Sequence, residues 1–130
     1  MKAFNDKLIA EFRAHHGELS GPMAGRRLLL LTTTGAKSGE QRTTVVGYRQ
    51  DGDHYVSIAS NNGNDRAPHW FRNLLADPTA TVEVGQDRFR VKARVATEHE
   101  RPRLAKLIDY LERQQALTSR EIPIVILERT

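Results

Sequence analysis

Gly35-Ala36-Lys37-Ser38-Gly39 sets an ammonium group and a hydroxyl between two glycines, and Arg42 follows three residues later. Glycines let the backbone turn sharply, so its N–H groups, the Ser38 hydroxyl, Lys37 and Arg42 can converge on a phosphate or carboxylate. This is not a nucleotide phosphate loop. That motif puts Gly directly before Lys and opens a helix, whereas here Ala36 intervenes and a strand-like stretch follows. A solvated hairpin turn that happens to carry a lysine is the plain alternative. A second cluster, Ser60-Asn61-Asn62-Gly63-Asn64 with His69 and Trp70 beyond it, brings a hydroxyl, amides, an imidazole and the chain's one tryptophan to the end of a strand-like segment. Binding groups often sit on such loops. The plain alternative is an Asn-rich turn chosen for left-handed backbone, with Trp70 and Phe71 docking a short helix. Arg88, Arg90, Lys92 and Arg94 form a third group, a cationic row at every second residue. It can meet an anion, or it can be a solvated outer strand face partly neutralised by Glu83 across a hairpin.

What is missing narrows the chemistry. The chain has no cysteine, which excludes disulfides, thiolate metal sites, iron–sulfur clusters and a cysteine nucleophile. Redox chemistry therefore has to come from a bound cofactor. No pair of the five histidines has metal-ligand spacing, so no zinc or iron site is expected. No Ser–His–Asp arrangement or catalytic carboxylate pair stands out.

Twenty Lys and Arg against sixteen Asp and Glu give a net charge of +4, too little to predict nucleic acid as a partner. Its distribution says more: residues 26–50 hold Arg26, Arg27, Lys37, Arg42 and Arg49 against Glu40 alone, which equals the whole excess. An anion is expected there. The longest aliphatic run, Leu28 to Leu31, is far short of the roughly 18 residues of a membrane span. Asp6 and Glu11 stand where a signal peptide would be apolar, so the chain is expected in the cytoplasm.

The elements that must position these groups follow from periodicity. Phe4, Leu8, Ile9 and Phe12 recur at helical spacing behind Asn5, which predicts an amphipathic helix over about 5–16. Ser20 to Gly25 reads as a loop. Strands are expected over 27–34, 43–48 and 55–59, with Asp51-Gly52-Asp53 as a hairpin turn, followed by a helix over about 68–76. A second hairpin spans 81–84 and 89–95, with Phe89, Val91, Ala93 and Val95 on its apolar face. Thr97 and Glu100 fit a capping box opening one helix to about Gln115, with Pro102 late for its first turn. A strand over 122–127 closes the chain. Hairpins without regular strand–helix–strand alternation predict a mainly β fold: a small antiparallel barrel with flanking helices, in a single domain over 1–130.

Several segments together resemble a known family: Leu30-Leu31-Thr32-Thr33-Thr34-Gly35-Ala36-Lys37-Ser38-Gly39, Gln41-Arg42-Thr43, Ala59-Ser60, Pro68-His69-Trp70-Phe71-Arg72-Asn73-Leu74, Asp77-Pro78 with Val82-Glu83-Val84, and Arg120-Glu121-Ile122-Pro123. In this order, from about Phe4 to Leu127, the chain is similar to the deazaflavin-dependent nitroreductase and quinone reductase family, split β-barrel proteins that bind coenzyme F420. The resemblance implies that Lys37 and Arg42 grip the phosphate and oligoglutamate tail of F420, with Ser38, Gly39, Thr43 and Thr44 beside it. It places Ser60, Asn61 and Asn62 by the deazaflavin ring, with Trp70 and Asn73 anchoring the helix behind. The family commonly has Ser-Lys-Gly-Gly where this chain has Ser60-Asn61-Asn62-Gly63, which removes one expected cation; whether or not Arg66 replaces it, Arg66 is the cation nearby. A family stretch rich in tyrosines is here reduced to Tyr110.

F420 carries a phosphodiester and carboxylates, which suits the cationic 26–50 segment, and its ring does the hydride chemistry that a cysteine-free chain cannot. The expected activity is hydride transfer from reduced F420 to a small-molecule acceptor: a quinone, nitroaromatic or activated alkene. Tyr110 is the candidate catalytic hydrogen-bond donor, and Tyr55, Trp70 and Tyr110 are expected to border the acceptor. A non-catalytic F420 store, or a barrel binding flavin mononucleotide or haem, are the other readings. The N-terminal helix is either a lid on the barrel or a weak contact with the inner membrane face, and the protein is a monomer or homodimer.

Overall fold

The computed structural model describes residues 2–19, 26–61 and 63–130, with side chains from residue 6 onward. The expected Ser20–Gly25 loop, Asn62 and the Phe4 side chain lie outside the described residues. Helix α1 (Lys2–Ala14) precedes strands β1 (Leu28–Thr34), β2 (Gln41–Gly47), β3 (Arg49–Asp51) and β4 (His54–Ile58). Helix α2 (His69–Ala76), strands β5 (Thr79–Val84) and β6 (Asp87–Val95), helices α3 (Arg101–Leu107) and α4 (Leu111–Gln115), and strand β7 (Ile124–Arg129) complete the chain. The seven strands form one antiparallel sheet in the order β2-β1-β5-β6-β7-β4-β3.

The two outermost strands, β2 and β3, are consecutive in the chain and separated by Tyr48 alone. A sheet whose edges are joined by one residue cannot lie flat; it must curl until the edges meet. At the seam the Ser57 hydroxyl of β4 donates to the Gly47 carbonyl of β2 at 2.7 Å, while the Tyr48 N–H extends the β1–β2 ladder to the Arg27 carbonyl at 3.1 Å. This is the expected split barrel.

Strands covered on both sides explain the long apolar runs. Leu29 and Leu31 of β1 point into the barrel with Val82, Val91 and Leu127, while Leu30 points outward against Phe12 of α1 and Leu19. In β7, Val125 and Leu127 face the barrel, and Ile124 and Ile126 pack against Leu104, Ile108 and Leu111 of the α3–α4 pair. Strand β6 is covered on one side only. Phe89, Val91 and Ala93 are buried and Arg88, Arg90, Lys92 and Arg94 are exposed, but Val95, expected inside, is 43% exposed where the strand leaves the barrel.

Other expectations also need correction: α1 begins at Lys2, so Asn5 lies within it and does not open it. The single helix to Gln115 is two helices, interrupted at 108–110, with Ile108 at φ −103°, ψ 84°. The capping box does form, with Thr97 and Glu100 exchanging hydrogen bonds of 3.0 and 3.2 Å, and Pro102 then falls early in α3 where its missing N–H costs nothing. The break lets Ile108 and Leu111 both seat in the core while Asp109 reaches Arg49 and Tyr110 reaches the seam. Tyr55, expected at the acceptor, instead lies inside the barrel between Tyr48 and Phe89, with ring centroids 5.5 and 5.6 Å away.

Candidate functional site

A cleft of about 1880 Å³ runs from the β1–β2 turn along β2 to the seam, walled by α2, the loop after β4 and the α3–α4 pair. At one end the Gly35–Gly39 turn is closed by hydrogen bonds from Gly35 N–H to the Glu40 carbonyl (2.7 Å) and from Gly39 N–H to the Gly35 carbonyl (2.9 Å). Gly39 makes the turn possible with φ +73° and does not itself line the cleft. The Ser38 hydroxyl accepts from Glu40 N–H at 3.1 Å, and Lys37 and Ser38 line the cleft mouth beside Arg42. Asn73 of α2 ties this turn down. Buried to 8% exposure, its side chain accepts from Ala36 N–H and donates to the Thr33 hydroxyl, both at 3.0 Å. Thr43 and Thr44 follow along β2, and Thr43 meets Thr32 across the ladder at 2.7 Å between hydroxyls.

The loop after β4 forms the facing wall. Asn61 takes the left-handed backbone expected of it, at φ +49°, as does Gly63 at φ +76°. A side chain on Gly63 would stand 2.7 Å from Leu117 and 3.2 Å from the Gln114 carbonyl, so only glycine fits. Arg120 holds the loop from behind, donating to the carbonyls of Ala59 (2.9 Å), Ser60 (3.0 Å) and Asn64 (3.0 Å). Asn61 adds a bond to the Arg66 carbonyl at 3.1 Å.

At the seam, Tyr110 stands over Gly47, where a Cβ would sit 3.3 Å from the phenol oxygen. Arg49 lies 5.0 Å from the Tyr110 ring centre and donates to Asp109 at 2.6 Å. Burial pushes the Tyr110 phenol above its ordinary pKa, with Arg49 opposing and Asp109 adding, so it stays protonated and able to donate across the neutral range. Trp70, edge-on to Phe71, forms the α2 wall.

The cleft gathers Arg26, Arg27, Lys37, Arg42, Arg49, Arg66, Arg72 and Arg113 against one acid, Asp109, among the described residues. Its cationic excess is larger than that of the whole chain. The β6 row takes no part. Arg94 is held by Glu100 (2.7 Å) and Glu128 (2.8 Å), and Glu83, expected to neutralise that row, is instead taken by Arg13 of α1 at 2.9 Å.

Residues 7–129 match the family of F420H(2)-dependent quinone reductases. The F420H(2)-dependent quinone reductase Rv1261c of Mycobacterium tuberculosis is 38% identical over 129 residues, covering 92% of this chain and 86% of its own. The chain belongs to the F420H(2)-dependent quinone reductase family. A solved F420-H2 dependent reductase, FDR-A, superposes with a TM-score of 0.72 at 33% identity, over 79% of this chain and 95% of that one. A solved domain-swapped dimer superposes with a TM-score of 0.74 at 30% identity, over 95% and 93% of the two chains.

The family is F420-dependent, and the cleft suits that cofactor. A polyanionic tail needs dispersed cations, which eight basic groups provide, and a planar ring needs flat walls with polar groups at their edges, which Trp70 and Tyr110 provide. Of the residues implicated by sequence, Lys37, Ser38, Arg42, Thr43, Thr44, Ser60, Asn61, Trp70, Asn73 and Tyr110 all line this one cleft. Arg72, Arg113, Gln114 and the Arg120 clamp escaped the sequence reading. Arg72 was within reach of it, since it stands three residues after His69 and donates to the His69 Nδ1 at 3.0 Å. Arg120 stands in the Arg120-Glu121-Ile122-Pro123 segment of the resemblance, which assigned it no role, and Arg113 and Gln114 carry no local signal.

Proposed function

We propose that the cleft binds reduced F420 by its tail at the Gly35–Gly39 turn and reduces a quinone between Trp70 and Tyr110. Lys37 and Arg42 would hold the phosphodiester and carboxylates by charge-assisted hydrogen bonds, with Ser38, Thr43 and Thr44 beside them and Gly39 shaping the turn. Ser60 and Asn61, with Asn62 by resemblance, would border the ring, while Asn73 keeps the turn and α2 in register. When bound, reduced F420 supplies a hydride that, with one proton, converts the quinone to a hydroquinone. The chain's own tasks are to align acceptor and ring, to shield them from water, and to donate a hydrogen bond from Tyr110 to the quinone oxygen as negative charge develops there.

The observation that supports this reading best is the charge asymmetry: eight basic side chains and one acid around a cleft whose far end holds a protonated phenol. Parallel titration with F420, flavin mononucleotide and haem tests it. F420 is expected to bind at low-micromolar affinity or tighter, and flavin mononucleotide weakly. Stopped-flow absorbance should then show bound reduced F420 reoxidised by menadione in a single two-electron step. Equal or stronger flavin binding would refute the cofactor reading, and tight F420 binding without oxidation by any quinone would point to storage.

A further inference from the structure

Among the described residues one buried side-chain polar atom has no hydrogen-bond partner: Oε1 of Gln114. The adjacent Gln115 is fully used, its Nε2 donating to the Arg120 carbonyl at 2.6 Å and its Oε1 accepting from Ile122 N–H at 2.9 Å. Two neighbouring glutamines thus do different things. Gln115 fastens the chain behind the loop, while Gln114 lines the cleft. It stands one turn beyond Tyr110 on the same helix face, and its N–H donates to the Tyr110 carbonyl at 3.2 Å. Its own carbonyl lies against Gly63 of the loop after β4. Gln114 therefore belongs to α4, one turn from Tyr110, and its backbone touches the loop after β4.

A buried amide oxygen without a donor has lost its water and received nothing in return, so folding alone gives no reason to keep it. A bound molecule that brings an N–H or O–H does. We propose that Gln114 is the hydrogen-bond acceptor for a ring N–H or O–H of the bound reactants, complementing the donor Tyr110 one turn away. Two groups present that chemistry: the imide N–H of the deazaflavin and the O–H of the hydroquinone product. An acceptor and a donor side by side suit an edge that offers a donor and an acceptor in the opposite sense, as the deazaflavin imide and the hydroquinone O–H both do. The inference rests on the function proposed above and adds a residue to it.

Gln114→Met, which keeps length and removes polarity, and Gln114→Glu, which keeps an acceptor, test the assignment. Without ligand, Gln114→Met should melt at the wild-type temperature or about 2–6 °C above it, because a penalty is removed rather than a bond. F420 affinity, read by cofactor fluorescence, and the inhibition constant of the hydroquinone product are then measured separately. A rise of about tenfold in the F420 dissociation constant identifies the imide N–H as the donor; the same rise in the inhibition constant of the hydroquinone product at unchanged F420 affinity identifies the hydroquinone. Gln114→Glu should retain more of the affected constant than Gln114→Met. A lower melting temperature for ligand-free Gln114→Met, or both constants within twofold of wild type, overturns the proposal. If wild type itself fails to bind F420, the parent reading falls, and the ligand-free melting comparison still decides whether the amide is structural.

Discussion

Lys37 projects from an exposed turn and has no ion pair among the described residues, whereas Arg42 is 3.3 Å from the Glu40 carboxylate with both side chains more than half exposed. Such a surface pair contributes little, so a ligand phosphate can displace it. Lys37→Ala and Arg42→Ala should each weaken F420 binding by about 1.5–3 kcal/mol, the range for a hydrogen bond to a charged group, and leave the melting temperature near wild type. Arg90→Ala is the control: it lies on the outer face of β6, outside the cleft, and equilibrium titration should find its affinity unchanged. Tyr110→Phe removes the hydroxyl but keeps the ring beneath Arg49. Its kcat for menadione should fall about tenfold or more while F420 affinity stays within about twofold, since a bond made to developing charge acts on the transition state. A proportional loss of affinity would move Tyr110 from the reaction to cofactor binding.

At the scale of elements, Asn73 ties α2 to the end of β1 and to the turn that follows through the two hydrogen bonds of its amide. Asn73→Leu leaves the Ala36 N–H and Thr33 hydroxyl without their partner. Denaturant unfolding should show a loss of about 1–3 kcal/mol, and F420 should bind more weakly because the turn carrying Lys37 is no longer held. The α3–α4 pair is fastened differently, by carboxylates: Asp51 to Arg103 at 2.9 Å, Asp109 to Arg49 at 2.6 Å, and Glu100 to Arg94 at 2.7 Å. Hydrogen bonds from Arg94 and then Thr97 bring the Glu100 pKa from 4.5 down to about 2, and the Asp51 and Asp109 values are lowered by Arg103 and Arg49. A carboxylate with a depressed folded pKa contributes stability above its unfolded value and loses it as pH falls through the folded one. Between pH 4.5 and about 2 the wild-type melting temperature should therefore drop more steeply than that of Glu100→Gln, which has no such charge to lose. Parallel slopes would show that the exposed Arg94–Glu100 contact contributes nothing.

For the whole molecule, α1 packs on β1 and β2 beside the cleft, and Leu28 and Val45 touch both. Phe12 is 1% exposed, and Leu8 and Ile9 pack with it around Leu30 and Val45, so the apolar side of α1 is already spent on β1 and β2. This favours the lid over the membrane contact. Phe12→Ala should cost about 3–5 kcal/mol in denaturant unfolding. The full chain should stay in the supernatant when sedimented with anionic vesicles. Strong cosedimentation that is lost on deleting residues 1–16 would show that α1 leaves the barrel to meet lipid. No helix among the described residues is long and apolar enough to cross a membrane.

Local chemistry determined what was legible before any folding. The alternation in β6, the glycine turn around Lys37, the left-handed Asn61 and Gly63, the capping box at Thr97 and the cationic excess of residues 26–50 all depend on neighbours within a few positions. Periodicity and composition report those directly. Tertiary structure decided what depends on distant partners. The barrel closes through Tyr48 because strand pairing brings β2 and β3 to opposite ends of the sheet order. The turn at Ala36 is set by Asn73, 37 residues on, and the loop at Ala59 by Arg120, 61 residues on. The break at 108–110, which local helix preference does not contain, turns Tyr110 to the seam and starts α4, on which Gln114 and Gln115 part ways. Residue types set which chemistry the chain can perform, and the register of seven strands, a cooperative property of the whole sheet, decides which of those residues meet.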